Sequence, residues 1–125
     1  MIFNKNLNRV YIIAEIGVNH NGNYKTAAKL LKIAKNCGAD AVKFQIFSAN
    51  ELSTKDAKLA PYQSKNLNKK ISQFKMLKKL ELKLDDYLKL YKISKKIKID
   101  FLCSVFEEKS LKFYQENFSK SVIKI

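Results

Sequence analysis

Ala41-Val42-Lys43-Phe44-Gln45-Ile46-Phe47 is the stretch on which the fold turns. Val42, Phe44 and Ile46 fall at every second position and read as one apolar face of a strand. Lys43 and Gln45 share the opposite face. Working outward, strands are predicted at Val10 to Ile16, at Asp100 to about Val105, and from Val122 to Ile125, where the sequence given stops. Helical patterns separate them. Asn23 reads as the N-cap of a first helix, and Ala27, Leu30, Leu31 and Ala34 lie on one of its faces. Gly38 stands where a helix C-terminal glycine belongs. Leu84, Tyr87, Leu88 and Tyr91 mark a second main helix. Leu111, Tyr114 and Phe118 form the buried stripe of a third, with Glu107 and Glu108 suited to its first turn by the helix dipole. The connection from Ser48 to about Lys83 contains Pro61, and within it Gln73 to Leu80 reads as a short helix.

Strands alternating with helices predict an α/β fold with a parallel sheet and right-handed crossovers. Strands covered on both faces should be apolar throughout. These depart from that rule in an orderly way. Glu15, Lys43 with Gln45, Ser104 and Lys124 each interrupt one strand on one face, near its C-terminal part. In a parallel barrel those positions converge at the catalytic mouth.

The chain of 125 residues is 46% hydrophobic and carries only one Pro and three Gly, which suits one ordinary domain and argues against low-complexity disorder. No apolar run reaches the length of a membrane span. Nothing at the start reads as a signal peptide, because Asn4, Lys5, Asn6 and Asn8 interrupt it. The expectation is a cytoplasmic protein with no membrane partner. Cys37 and Cys103 sit in apolar patterns and read as two buried free thiols. The net charge of +14 raises the question of nucleic acid. Arg9 is the only arginine, and the lysines are spread over several predicted helices as solvated faces are. No specific nucleic-acid partner is expected.

Each polar strand position has two readings. Lys43 within an apolar strand needs an anion or solvent, or it is an edge-strand lysine turned to water. Lys124 carries the same ambiguity. Glu15 needs a cation, a metal or donors, and a structural ion pair with Lys43 is the plain alternative. Gln45 either bonds a ligand or fills space. Ser104-Val105-Phe106-Glu107 fits a capping box at a helix start, a role compatible with a phosphate contact. His20, the only histidine, follows Val18-Asn19 on the loop after the first strand. Alone it cannot build the usual zinc site, and a loop hydrogen bond is its plainer role. No P-loop, dinucleotide fingerprint or nucleophile elbow is present.

Ile12-Ile13-Ala14-Glu15-Ile16-Gly17-Val18-Asn19-His20-Asn21-Gly22 resembles the opening signature of the N-acetylneuraminate (sialic acid) synthase family, which includes pseudaminic and legionaminic acid synthases. Gly38-Ala39-Asp40-Ala41-Val42-Lys43-Phe44-Gln45 resembles its second-strand motif. Met76-Leu77-Lys78-Lys79-Leu80-Glu81-Leu82 resembles the lead-in to its next helix, Ile99-Asp100-Phe101-Leu102-Cys103-Ser104 its third strand, and Ile123-Lys124-Ile125 the start of its fourth. The combination, in order and over nearly the whole chain, is specific although no single piece is.

The resemblance implies that residues 1–125 form strands one to four, the N-terminal half, of a TIM (β/α)8 barrel, a fold of roughly 250 residues. It implies condensation of phosphoenolpyruvate with an N-acetylated hexosamine to a nine-carbon keto sugar acid and phosphate. By position, Lys43, Ser104 and Lys124 resemble the phosphoenolpyruvate ligands, and Glu15 and Gln45 the catalytic residues on the acceptor and metal-water side. Asn19 and His20 belong to the signature loop. The family uses a divalent metal, typically manganese, whose histidine ligands would lie beyond Ile125, as would the C-terminal half barrel and an antifreeze-like domain. Ser104-Val105 stands where many members have Thr-Pro; serine keeps the hydroxyl. The expectation is therefore a fragment inactive alone, which forms a homo-oligomer or joins a complementing C-terminal half. The rivals are a non-catalytic remnant or split-gene half, and a lysine-rich nucleic-acid-binding module.

Overall fold

The computed structural model describes residues 9–53, 72–118 and 123–124. In chain order these form β1 (Ile13–Gly17), α1 (Tyr24–Asn36), β2 (Ala41–Ile46), α2 (Ala49–Leu52), α3 (Gln73–Leu80), α4 (Leu84–Lys96), β3 (Asp100–Val105), α5 (Glu108–Asn117) and β4 (Ile123–Lys124). Pro61, Val122 and Ile125 lie outside the described residues.

The four strands make one sheet in the order β1-β2-β3-β4, all parallel. The fold is thus α/β with a parallel sheet, as the alternation of patterns predicts. The sequential order has no reversal, unlike a doubly wound sheet, in which the order turns back at a switch point. The main helices share one face. Val42, Phe44, Ile46, Phe101 and Cys103 from the sheet form a single core with Ala27 and Leu31 of α1, Tyr87 and Leu90 of α4, and Tyr114 and Phe118 by α5. Aromatic rings run through this layer. Phe44 stacks on Phe101 at 5.3 Å between centroids, and Tyr91 meets Phe118 edge-on at 4.9 Å.

Local chemistry explains the boundaries. Asn23 caps α1, its side chain accepting from the Thr26 N–H at 3.0 Å. Gly38 follows the helix with φ +87°, the left-handed turn that glycine takes without strain. At the N-terminal strand ends, Asp40 accepts from the Ile12 N–H at 2.8 Å and from both arms of Arg9, at 2.8 and 2.5 Å. Tyr11 donates to Asp100 at 2.5 Å. These contacts bind residues 9–12 to β2 and β3, and they give Arg9 a structural partner.

Three expectations are corrected. The first strand begins at Ile13 and not at Val10, because the Asp40 side chain claims the Ile12 N–H; Val10 and Ile12 are exposed. Cys37 is exposed because it is the C-cap of α1 and points away from the core, whereas Cys103 is buried in β3; both thiols are free. Ser104 does not cap a helix. It stays within β3, and Glu107 is the N-cap of α5, its carboxylate accepting from the Ser110 N–H at 3.0 Å.

Candidate functional site at the C-terminal strand ends

The pleat of β2 decides where the chemistry goes. With Val42, Phe44 and Ile46 committed to the core, Lys43 and Gln45 must face the other side of the sheet. The parallel register then sets their neighbours. Glu15 lies beside Lys43, and Gln45 lies beside Ser104, which lies beside Lys124. Register partners share a face, so all five fall on the face opposite the helices. Lys43 and Lys124 are on the same side of the sheet.

The Glu15 carboxylate and the Lys43 ammonium form an ion pair, with Lys43 16% and Glu15 49% exposed. The plain reading of Glu15, an ion pair with Lys43, is thus realised. The half-exposed carboxylate can turn to water and release the lysine to an incoming anion. Ser104 is buried at 8% exposure, and Lys124 is exposed. Taken together, Glu15, Lys43 and Lys124 carry one positive charge in excess. A face so composed favours an anion, with a hydroxyl and an amide beside the two ammonium groups to bond its oxygens.

Two residues not predicted from sequence shape this rim. The register slips between Glu15 and Gly17, so that Gly17 and not Ile16 stands beside Phe44. Gly17 has φ +55°, and a Cβ there would lie 3.5 Å from Glu15 Oε1 and 3.6 Å from Gln45 Nε2. The bulge keeps Ile16 in the core and leaves a small opening beside both polar side chains. The second is Tyr87, fully buried, whose hydroxyl donates to the Gln45 carbonyl at 2.6 Å. Burial pushes its phenol pKa up, so it remains a donor throughout the ordinary pH range. Gly17 is detectable in sequence as a glycine ending a strand; Tyr87 carries no signal beyond its helical spacing. Cys103 lies in β3 next to Ser104 but on the core face; burial raises its thiol pKa well above the usual range, and it offers no thiolate nucleophile.

Asn19 and His20 lie on the β1–α1 loop, apart from the row. Asn19 is exposed, and its N–H donates to the Ile16 carbonyl at 3.0 Å. His20 is buried at 1% exposure, and its Nδ1 accepts from the Gly22 N–H at 3.1 Å. It takes the loop hydrogen-bonding role. Among the described residues no group of three or more His, Cys, Asp or Glu gathers as a metal site would need. The donor set of the described residues does not fit a manganese centre.

A parallel βα-repeat sheet that carries two lysines, a hydroxyl, an amide and a carboxylate on one face, at its strand ends, defines the class of this protein. Comparison with known proteins gives this class a family. The NeuB family profile matches residues 30–125, and the chain belongs to that family. The N,N'-diacetyllegionaminic acid synthase of Legionella pneumophila is 44% identical over 103 residues, covering 82% of this chain and 29% of that protein. The enzyme of the same name from Campylobacter jejuni is 44% identical over 110 residues, covering 88% of this chain and 33% of its own. The solved structure of N-acetylneuraminic acid (sialic acid) synthetase from Leptospira borgpetersenii serovar Hardjo-bovis, in complex with citrate, superposes with a TM-score of 0.72 at 28% identity, over 94% of this chain and 36% of that one. The chain thus spans about a third of the length of the relatives it matches. Among the described residues no helix is long and apolar enough to cross a membrane.

Proposed function

We propose that this chain supplies the phosphoenolpyruvate-binding side of a sialic-acid-type synthase. In this reading Lys43, Ser104 and Lys124 hold the phosphate and carboxylate of phosphoenolpyruvate. Glu15 and Gln45 face the acceptor, an N-acetylated hexosamine, where a carboxylate can orient a proton and an amide can bond a hydroxyl. The observation that carries the reading is the unbroken register Gln45–Ser104–Lys124, with the Glu15–Lys43 pair beside it, on the face away from the helices.

The four strands read as the first four of a (β/α)8 barrel, which the sequential order and one-sided helix layer support. Among the described residues β1 and β4 each have one neighbouring strand, so a complementing half or a second copy is the partner that suits them. The divalent metal of the synthase reaction would be held by that complement. The chain works in the cytoplasm in this reading, where phosphoenolpyruvate is available.

The test is to incubate the purified 125-residue chain with phosphoenolpyruvate, an N-acetylhexosamine and manganese, alone and with a C-terminal half from a relative, following phosphate release and product mass. Product is expected only in the mixture. Turnover by the chain alone as a monomer, or a mixture in which Lys43→Met is without effect, would overturn the reading.

A further inference from the structure

His20 is the one histidine of the chain and is almost completely buried, at 1% exposure. Its Nδ1 accepts the Gly22 N–H, so the neutral ring carries its proton on Nε2. That Nε2 has no hydrogen-bond partner among the described residues. Buried polar atoms without partners are uncommon in folded proteins, and each asks for a reason. The ring's surroundings suggest one. On one side its centroid is 6.2 Å from that of Phe44, the β2 residue between Lys43 and Gln45. On the other, Gly22 is seated so closely on α3 that a Cβ would come within 2.3 Å of the Lys79 carbonyl oxygen. His20 therefore stands between the loop's anchor on α3 and the strand that presents the polar row.

We propose that neutral His20 is a positioning residue, which holds the β1–α1 loop through Gly22 and bears on Phe44 to fix how β2 presents Lys43 and Gln45, and that protonation of the ring releases this hold. The reason is elementary. A protonated Nδ1 is itself a donor and cannot accept the Gly22 N–H, and an imidazolium at this site would be a buried charge without a counter-ion. Ionisable groups on the neighbouring elements include Glu15 on β1, Lys43 on β2, Lys75, Lys78, Lys79 and Glu81 by α3, and Asp85, Asp86, Tyr87 and Lys89 on α4. None of them governs the ring. Burial lowers its pKa below 6.5, and the Gly17 backbone opposes the shift only in part. With the folded pKa below the unfolded one, the unfolded loop binds more protons. The hold is thus complete above pH 6.5 and weakens as pH falls toward the folded pKa. The inference concerns the geometry of the face and does not depend on which ligand it takes.

A single histidine gives a single imidazole signal, so the chain itself can be titrated by NMR. The expected result is an Nε2–H tautomer with a midpoint below 6.5. Between 6.5 and that midpoint, the Gly22 amide protection factor, corrected for intrinsic exchange, should fall about tenfold per pH unit. The Lys43 and Gln45 amide resonances should shift with the same midpoint. His20→Asn retains an acceptor for the Gly22 N–H but cannot ionise, so its Lys43 and Gln45 resonances, offset by loss of the ring against Phe44, should not change across the range. His20→Ala should lose Gly22 protection at every pH, and if it does not fold, the wild-type titration still decides. A midpoint at or above 6.5, Lys43 and Gln45 resonances indifferent to the titration, or the same pH dependence in His20→Asn would overturn the proposal.

Discussion

Lys43→Met separates the two roles that Lys43 can play. The lysine is paired with Glu15, but only the lysine is largely covered, since Glu15 is 49% exposed. Two unit charges about 4 Å apart interact by about 1 kcal/mol in water and about 4 kcal/mol at an effective dielectric of 20. Pairs with a well-solvated partner deliver only about 0.2–1 kcal/mol of net stability. Methionine keeps a straight apolar stem, so the packing of the methylenes survives, and the freed carboxylate can turn to water. The expected loss of stability is therefore about 1 kcal/mol or less, a fall of under about 1 M in the urea midpoint. Anion binding should respond far more. A charge-assisted hydrogen bond contributes about 1.5–3 kcal/mol, so phosphoenolpyruvate affinity should drop roughly 10- to 150-fold.

The matching change, Glu15→Gln, should act in the opposite direction. It removes the carboxylate that competes for Lys43 and should tighten phosphoenolpyruvate binding, while the salt dependence of binding steepens. Urea unfolding by circular dichroism and calorimetric titration with phosphoenolpyruvate give the two readouts on the same samples. A Lys43→Met variant that loses more than about 3 kcal/mol of stability yet binds unchanged would make the pair a buried structural bridge. The anion-site reasoning would then fail.

Other expectations follow from single contacts. Tyr87→Phe leaves the partly buried Gln45 carbonyl without its side-chain donor; a loss of about 1–2 kcal/mol should appear as a fall of about 4–8 °C in thermal midpoint. Gly22→Ala drives a Cβ into the Lys79 carbonyl at positive φ, and should cost about 2–4 kcal/mol in urea unfolding. Gly38→Ala, with open space around its Cα, should cost only about 1 kcal/mol from its φ, and equal losses at the two glycines would contradict the packing argument. Iodoacetamide should label the native protein once, at the exposed Cys37, and reach Cys103 only on unfolding; mass spectrometry of native and denatured samples counts the adducts.

Much of this was legible because local and tertiary preferences agree. Asp100–Val105 emerges as a strand with the limits its alternation suggests, and Asn23 caps the helix it precedes. The stripe Ala27, Leu30, Leu31 and Ala34 does pack toward the core. Failures occurred where a distant partner overrides a local pattern. Val10-Tyr11-Ile12 is made of strand-forming residues, yet Asp40, far along the chain, takes the Ile12 N–H and turns that segment into a strap across the strand starts. Ser104 satisfies the spacing of a capping box, but pairing with β2 and β4 carries β3 past it, and Glu107 assumes the cap. The candidate row was legible through its violations, since a charged residue in an apolar strand stands out. His20's burial and Gly17's bulge were not, because both depend on how the β1–α1 loop closes against α3 and β2.

The distribution of polar residues has a common physical origin. The helix-facing side of the sheet is closed by aromatic packing and leaves no room for an unpaired charge, so ionisable groups within the strands can survive only on the other side. There the register, fixed by the same core residues, places Glu15 against Lys43 and sets Lys124 two strands from Gln45. The negative charge of the row is already engaged by Lys43, and Lys124 remains in excess. A ligand that brings its own negative charge relieves that imbalance; a neutral ligand does not. In the proposed reading, selectivity for anions on this face is thus a consequence of the core's demands on the pleat as much as of the residues that would touch the ligand. Core substitutions at Phe44, which lies between Lys43 and Gln45, should consequently alter anion affinity even though its ring faces away.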